Sequence, residues 1–116
     1  MKTYGMTLDL KEDPDTIAKY KEYHRAVWPE VISGLHDLGI SKMKIFLGGN
    51  RLFMYLETPD DFEPGRDFPK YMKSGQAKEW DELMRTFQEP VSEVQPGEWW
   101  ATMESVFQSD THKDRH

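Results

Sequence analysis

Residues 2–10 alternate in character. Tyr4, Met6, Leu8 and Leu10 fall on one side, and Thr3, Gly5, Thr7 and Asp9 on the other, which is the pattern of a strand with two distinct faces. The segment KEDPDT then turns, and Asp15 or a neighbour can cap a helix over about 14–25 whose inward positions are Ile17, Tyr20 and His24. Pro29 drives Trp28 out of helical geometry, yet proline suits the first turn of a new helix. A second helical piece is therefore expected over about 29–38, burying Val31, Ile32, Leu35 and Leu38, with Gly39 ending it.

The pattern then returns to a period of two. SKMKIFL places Met43, Ile45 and Leu47 on one face and Lys44 and Phe46 on the other. GGN makes a hairpin turn, and RLFMYLE comes back as a third strand. TPDDFEPGRDFP is polar and proline-rich and reads as a loop. From about Ser74 a helix runs through Ala77, Trp80, Leu83, Met84 and Phe87. QEPVSEVQPGE reads as a further loop and WWATMESVF as a closing strand, while the charged tail 109–116 has no periodicity and is expected to be disordered. The order β-α-β-β-α-β over a single domain, 1–108, predicts an α+β ferredoxin-like sandwich, a four-stranded antiparallel sheet with its helices on one face. Coverage by one layer leaves aromatic and methionine side chains on the other face in water, over more area than monomers usually expose. Two such sheets face to face, a homodimeric α/β-barrel, relieve this.

Composition removes whole classes of function. A chain of 116 residues supports one core, and a formal net charge of −6 without a basic stripe argues against a nucleic-acid partner. No apolar run approaches the ~20 residues of a membrane span, and no signal peptide opens the chain, so no membrane association is expected. With no cysteine, disulfides and thiolate chemistry are excluded and a cytoplasmic location is favoured. No His/Asp/Glu spacing suggests a metal, and no motif calls for a cofactor.

Candidate chemistry centres on the stretch KYKEYHRAVWPEV. His24 shares a helical face with Tyr20 and lies in the last turn, where unpaired carbonyls favour a protonated imidazole and a pKa raised toward neutrality. A lone helix histidine is more often structural, so spacing alone does not assign it a catalytic role. His36 reads as a solvated surface residue, and His112 and His116 lie in the tail. Trp28, Trp80, Trp99 and Trp100 exceed what a small core needs. If Trp99 and Trp100 occupy a strand, they face opposite ways, so at most one joins the helix side. An indole face suits a sugar, whose C–H face stacks while its hydroxyls seek hydrogen bonds.

Y-x3-H followed by VWPE, then RLFMYLE, EWDELM and a closing M-x2-VF, resemble the L-rhamnose mutarotase family of small dimeric aldose isomerases, from about Thr3 to Phe107. The resemblance implies that His24 donates a proton and that Tyr20 and Trp80 contact a monosaccharide. Met43 stands where rhamnose-type members carry tyrosine, and Asp81 where they carry a second tryptophan. Both positions touch sugar in those enzymes. DLKEDP, AVWPEV, NRLFMYLE, DDFEP and PGEWW are more similar to the branch acting on L-fucose. The resulting expectation is an L-fucose or L-rhamnose mutarotase, with His24 as general acid and Tyr20, Trp28, Met43, Trp80, Asp81 and Trp100 around the substrate. Its rival is a dimeric α/β-barrel of another class, a small-ligand-binding protein or a cofactor-free monooxygenase, where a more apolar pocket is usual. Lys44 and Arg51 would make this pocket polar if they reached it; as solvated strand-end charges they would not.

Overall fold

The alternation along the first strand sets the frame of the whole sheet. In the computed structural model, which describes residues 1–73 and 75–109, β1 (Lys2–Leu10) lies at the centre of the sheet. It pairs antiparallel with β3 (Arg51–Thr58), in a register that sets Tyr4 against Leu56, Met6 against Met54 and Leu8 against Leu52. β2 (Lys42–Gly48) adds to the far side of β3, bringing Met43 against Leu56 and Ile45 against Met54. Because cross-strand partners share a face, these residues form one apolar surface. Leu8, Leu10, Leu52 and Leu56 on it are at most 1% exposed, each contributing about 1.5–3 kcal/mol by burial. The order β2-β3-β1-β4 is that of the ferredoxin-like fold expected from the sequence.

Helices cover that face. α1 (Pro14–His24) begins with Pro14 after Asp13, which accepts a hydrogen bond from Thr16 Oγ1 at 2.8 Å. Asp13 rather than Asp15 therefore marks the helix start. α2 (Pro29–Asp37) begins at Pro29, so the Trp-Pro pair separates two helices as predicted. Gly39 (φ +83°) ends it, with a Cβ there standing 2.6 Å from the Pro59 ring, a position open to glycine alone. α4 (Gly75–Arg85) supplies Trp80, Leu83 and Met84 to the core.

Two segments depart from the sequence reading. The polar stretch expected to be a loop contains α3 (Pro64–Tyr71). Pro64 occupies the first turn, and the Asp67 carboxylate accepts the Glu63 backbone N–H at 2.8 Å. Pro69 is tolerated because a helix this short leaves few intrahelical bonds to lose. The closing strand is also broken. β4 is only Gln88–Glu89, pairing Leu10 and Asp9, and β5 is only Ala101–Met103, pairing Gly5 to Thr7. Both lie along the same edge of β1, and residues 90–100 leave that edge and return to it. Trp99 and Trp100 thus precede the strand instead of starting it. Of the tail, residues 110–116, with His112 and His116, lie outside the described residues.

The second sheet face carries Phe46 and Phe53, stacked at 6.4 Å and 55% and 38% exposed. Met103 on β5 is 49% exposed.

Candidate functional site

Four residues apart on α1, Tyr20 and His24 necessarily meet on one helix face. Their rings lie 4.2 Å apart, tilted by 31°. His24 closes the helix, and its Nδ1 is 2.8 Å from the Tyr20 carbonyl oxygen. A carbonyl only accepts, so Nδ1 carries the hydrogen and donates, leaving Nε2 as the uncommitted nitrogen. The sequence reading expected the helix terminus to raise the His24 pKa. The structure reverses that direction. Burial beside Tyr20 and Trp80 pushes it down, and the hydrogen bond to Tyr20 only partly offsets this. At neutral pH His24 is therefore a neutral imidazole with a free lone pair on Nε2. Burial acts the other way on the Tyr20 phenol, which is pushed up to about 12 while a hydrogen bond from the Gln88 side chain opposes the rise. Tyr20 keeps its proton throughout the physiological range.

Both rings face a cavity of about 210 Å3 between the sheet and the helices. Its floor is the apolar sheet face, including Met6, Met43, Ile45 and Met54. α4 contributes Trp80 and Asp81, and Trp100 comes from the segment returning to β5. The structure thus gathers Tyr20, His24, Met43, Trp80, Asp81 and Trp100 around one space. Trp28 is not on its wall. The Trp28 ring packs edge to face on Trp80 at 5.1 Å, one ring removed from the cavity, because it caps α2 on the outer side of Trp80. Lys44 and Arg51 do not reach the cavity either; Arg51 is ion-paired with Asp9 at the sheet margin.

Several wall residues escaped the sequence reading. Trp99 lines the cavity together with Trp100, against the expectation that only one of them would. Leaving the strand frees the pair from strict alternation. The Trp99 indole N–H donates to Gln88 Oε1 at 2.9 Å. Arg85 lies over the Trp99 ring at 4.5 Å and pairs through Nε with Asp81 at 2.9 Å. Burial pushes the Asp81 carboxyl up and Arg85 pulls it back. Asp81 and Arg85 stand at i, i+4, a signal that was available in EWDELMR. On α3, Tyr71 lines the cavity and donates its hydroxyl to the Val31 carbonyl at 2.6 Å. Its ring lies where a Cβ on Gly34 would be, 2.3 Å from Cε1, so α2 admits α3 only through that glycine. No local pattern announced this contact.

The arrangement offers a neutral imidazole, a phenol that stays protonated, a carboxyl held by arginine, and indole rings over an apolar floor. Such a set can exchange protons with the hydroxyls of a small ring-shaped polyol and stack against its C–H face. Among the described residues, no three His, Cys, Asp or Glu side chains gather as a metal site. No helix of the described residues is long and apolar enough to cross a membrane.

Fold and site together define a small α+β protein with a pocket between its sheet and its helices, lined by aromatic and titratable side chains. Residues 3–109 match the family model described as L-rhamnose mutarotase. The chain belongs to that family of sugar mutarotases, isomerases that interconvert anomers. An L-fucose mutarotase of Xanthomonas campestris pv. campestris is 34% identical over 102 residues, covering 86% of this chain and 82% of that protein. A UPF0734 protein of Dictyostelium discoideum is 48% identical over 118 residues, covering 98% and 94%. The crystal structure of L-rhamnose mutarotase FA22100 from Formosa agariphila shares the fold with a TM-score of 0.67 at 23% identity, covering 93% of this chain and 98% of that one.

Proposed function

We propose that the protein interconverts the α and β anomers of a 6-deoxy-L-sugar, with L-fucose the preferred substrate, in the cytoplasm and as a homodimer. The observation that carries the reading is the His24 imidazole, tied at Nδ1, stacked on Tyr20 and facing the cavity with Nε2 free. Ring opening breaks the anomeric O–H and the C1–O5 bond, forms the C1 carbonyl and leaves a proton on O5. Neutral His24 takes the anomeric proton through Nε2. The ring oxygen receives a proton from a donor on the wall or from the imidazolium just formed. Rotation about C1–C2 presents the other carbonyl face, and the same transfers run backwards to close the ring. His24 thus acts first as base and then as acid, where the sequence alone cast it as the acid. Tyr20, with its raised pKa, keeps its proton and donates a hydrogen bond to the sugar. Trp80 and Trp100 stack on the pyranose, and the methionines of the floor accept the C6 methyl.

The lead of L-fucose over L-rhamnose rests on Met43 and Asp81 and on the likeness to the Xanthomonas protein. The L-rhamnose reading is favoured by the description of the family model. Saturation-transfer NMR over L-fucose, L-rhamnose, D-galactose and D-glucose decides between them. Catalysed anomer exchange is expected to be fastest with L-fucose, and absence of catalysis on all four sinks the proposal. The homodimer reading rests on the exposed Phe46, Phe53 and Met103 of the outer sheet face. Sedimentation equilibrium is expected to give twice the chain mass at micromolar concentration, and a monomer mass rejects it.

A further inference from the structure

Gln88 is 5% exposed, and its position is fixed by the sheet. As the partner of Leu10 in the register, it projects from β4 onto the same face as Leu10, toward the helices and the cavity. Its amide has one accepting end and one donating end, and two neighbours compete for them. An indole N–H can only donate, so the end facing Trp99 must be the oxygen, at 2.9 Å from Nε1. Nε2 is then the end left for the Tyr20 hydroxyl, since Tyr20 shares a core cluster with Leu10, the β1 partner of Gln88, and lines the same cavity. An NH2 group cannot accept, so in a bond between the two the Tyr20 oxygen must. The phenol has one proton and has not spent it on Gln88. Tyr20 borders the same cavity, where that proton finds its partner.

We infer that Gln88 is a positioning residue of this site: locked by the Trp99 indole, its amide donates to the Tyr20 oxygen and so reserves the Tyr20 proton for a sugar oxygen in the cavity. Reversed, the amide would offer its oxygen, absorb the Tyr20 proton and leave the cavity facing only lone pairs. The order Trp99 to Gln88 to Tyr20 thus sets which way the last hydrogen bond points. Arg85 over the far face of Trp99, held in turn by Asp81, keeps the indole in place.

The destination of the proton rests on the mutarotase reading; the orientation of the amide does not. The test therefore has two readouts on the full-length protein. Without sugar, NMR of 15N-labelled protein is expected to show a hydrogen-bonded Trp99 indole proton and NOEs from the Gln88 side-chain NH2 to the Tyr20 ring. With L-fucose or L-rhamnose, Gln88→Glu is the informative variant. It keeps the shape and still accepts from Trp99, but its carboxylate can only take the Tyr20 proton. KM is expected to rise about tenfold, the worth of one lost hydrogen bond, with kcat within about threefold. Tyr20→Phe should do the same, and combining the two should add nothing further. Trp99→Phe, which unlocks the amide without entering the core, is expected to raise KM about threefold and broaden the Gln88 NH2 signals. A folded Gln88→Glu with unchanged KM, or losses that multiply in the double variant, overturns the inference. So does NH2 proximity to Trp99 instead of Tyr20, which decides the matter even if Gln88→Glu fails to fold. If the wild type exchanges no anomers, the functional reading falls, and the NOE pattern still judges the amide.

Discussion

The two parts of the cavity wall are built by different means. Tyr20 and His24 come from a single turn of α1, and their contact follows from a spacing of four. The rest is assembled across the chain: Tyr71 reaches Val31 over 40 residues, Trp99 reaches Gln88 over 11, and α3 enters only because Gly34 has no side chain. The α1 part carries the titratable centre; the assembled part carries shape and hydrogen-bond direction. Damage to the first should therefore remove chemistry while sparing the fold, and damage to the second should reach function through packing or binding.

The largest expected effect is on the α1 side. His24→Gln keeps a hydrogen-bonding group at the helix end but cannot shuttle protons. The anomer-exchange rate at saturating sugar should fall by about 10²–10⁴, while stability changes by less than about 1 kcal/mol, since the residue is only half-buried. A folded His24→Gln protein with wild-type exchange would show that the imidazole is structural. Gly34→Ala strikes the assembled side. A methyl placed 2.3 Å from Tyr71 Cε1 must displace that ring and strain its bond to Val31. Overpacking of this kind costs about 1–3 kcal/mol, to be read as a lower midpoint in urea. An unchanged midpoint would mean that α3 is not seated on α2 as described. Activity per folded molecule should fall less than in His24→Gln.

These two sides also differed in how far the sequence exposed them. β1, β2 and β3 were legible because alternation is local, and α1, α2 and α4 because apolar residues recur at helical spacing within each segment. The Tyr20–His24 pair was legible for the same reason, whereas Trp80 and Asp81 were placed at the site by the family resemblance. α3 was not, because Pro69 and a run of charges imitate a loop, while its inward residues, Phe68 and Tyr71, bury themselves against α2 and Phe62, far away in the chain or across a turn. The division of the edge strand was equally hidden. Gln88–Glu89 is too short for periodicity, and what interrupts the strand is the excursion that brings Trp99 back to Gln88. The direction of the His24 shift failed for a related reason. Its helix end was visible in the sequence, but the Trp80 ring that helps bury it comes from α4, and burial outweighs its hydrogen bond to the Tyr20 carbonyl.

That direction is itself open to measurement. Because the folded state holds His24 below the ordinary 6.5, protonation favours the unfolded chain. The contribution to stability is complete above 6.5 and is lost as pH falls from there through the depressed folded value. Activity should follow the same limb. kcat/KM should be level from neutrality down to 6.5 and then drop, by at most about tenfold per pH unit, with an apparent pKa below 6.5. A rate that instead rises on acidification across this range would restore the reading of His24 as a protonated acid.

The smallest effect sharpens the boundary of the site. Trp28 was grouped with the sugar contacts by its residue type, yet its ring meets Trp80 edge to face at 5.1 Å and does not line the cavity. Trp80 stands between it and the space, 5.4 Å from His24. Trp28→Leu should therefore remove an aromatic pair worth about 0.5–1.5 kcal/mol and let the Trp80 ring loosen. Part of that loss should appear in thermal stability and part as a KM raised about twofold to threefold, with kcat unaffected, because positioning is weakened and no reacting group is touched. Trp80→Leu removes the stacking surface itself and should raise KM by at least about tenfold, a base- or sugar-like stack on an indole being worth more than an indirect brace. The ratio of the two effects is the test. If Trp28→Leu costs as much binding as Trp80→Leu, then Trp28 touches the sugar directly, and the cavity extends past Trp80 toward the start of α2 when substrate is bound.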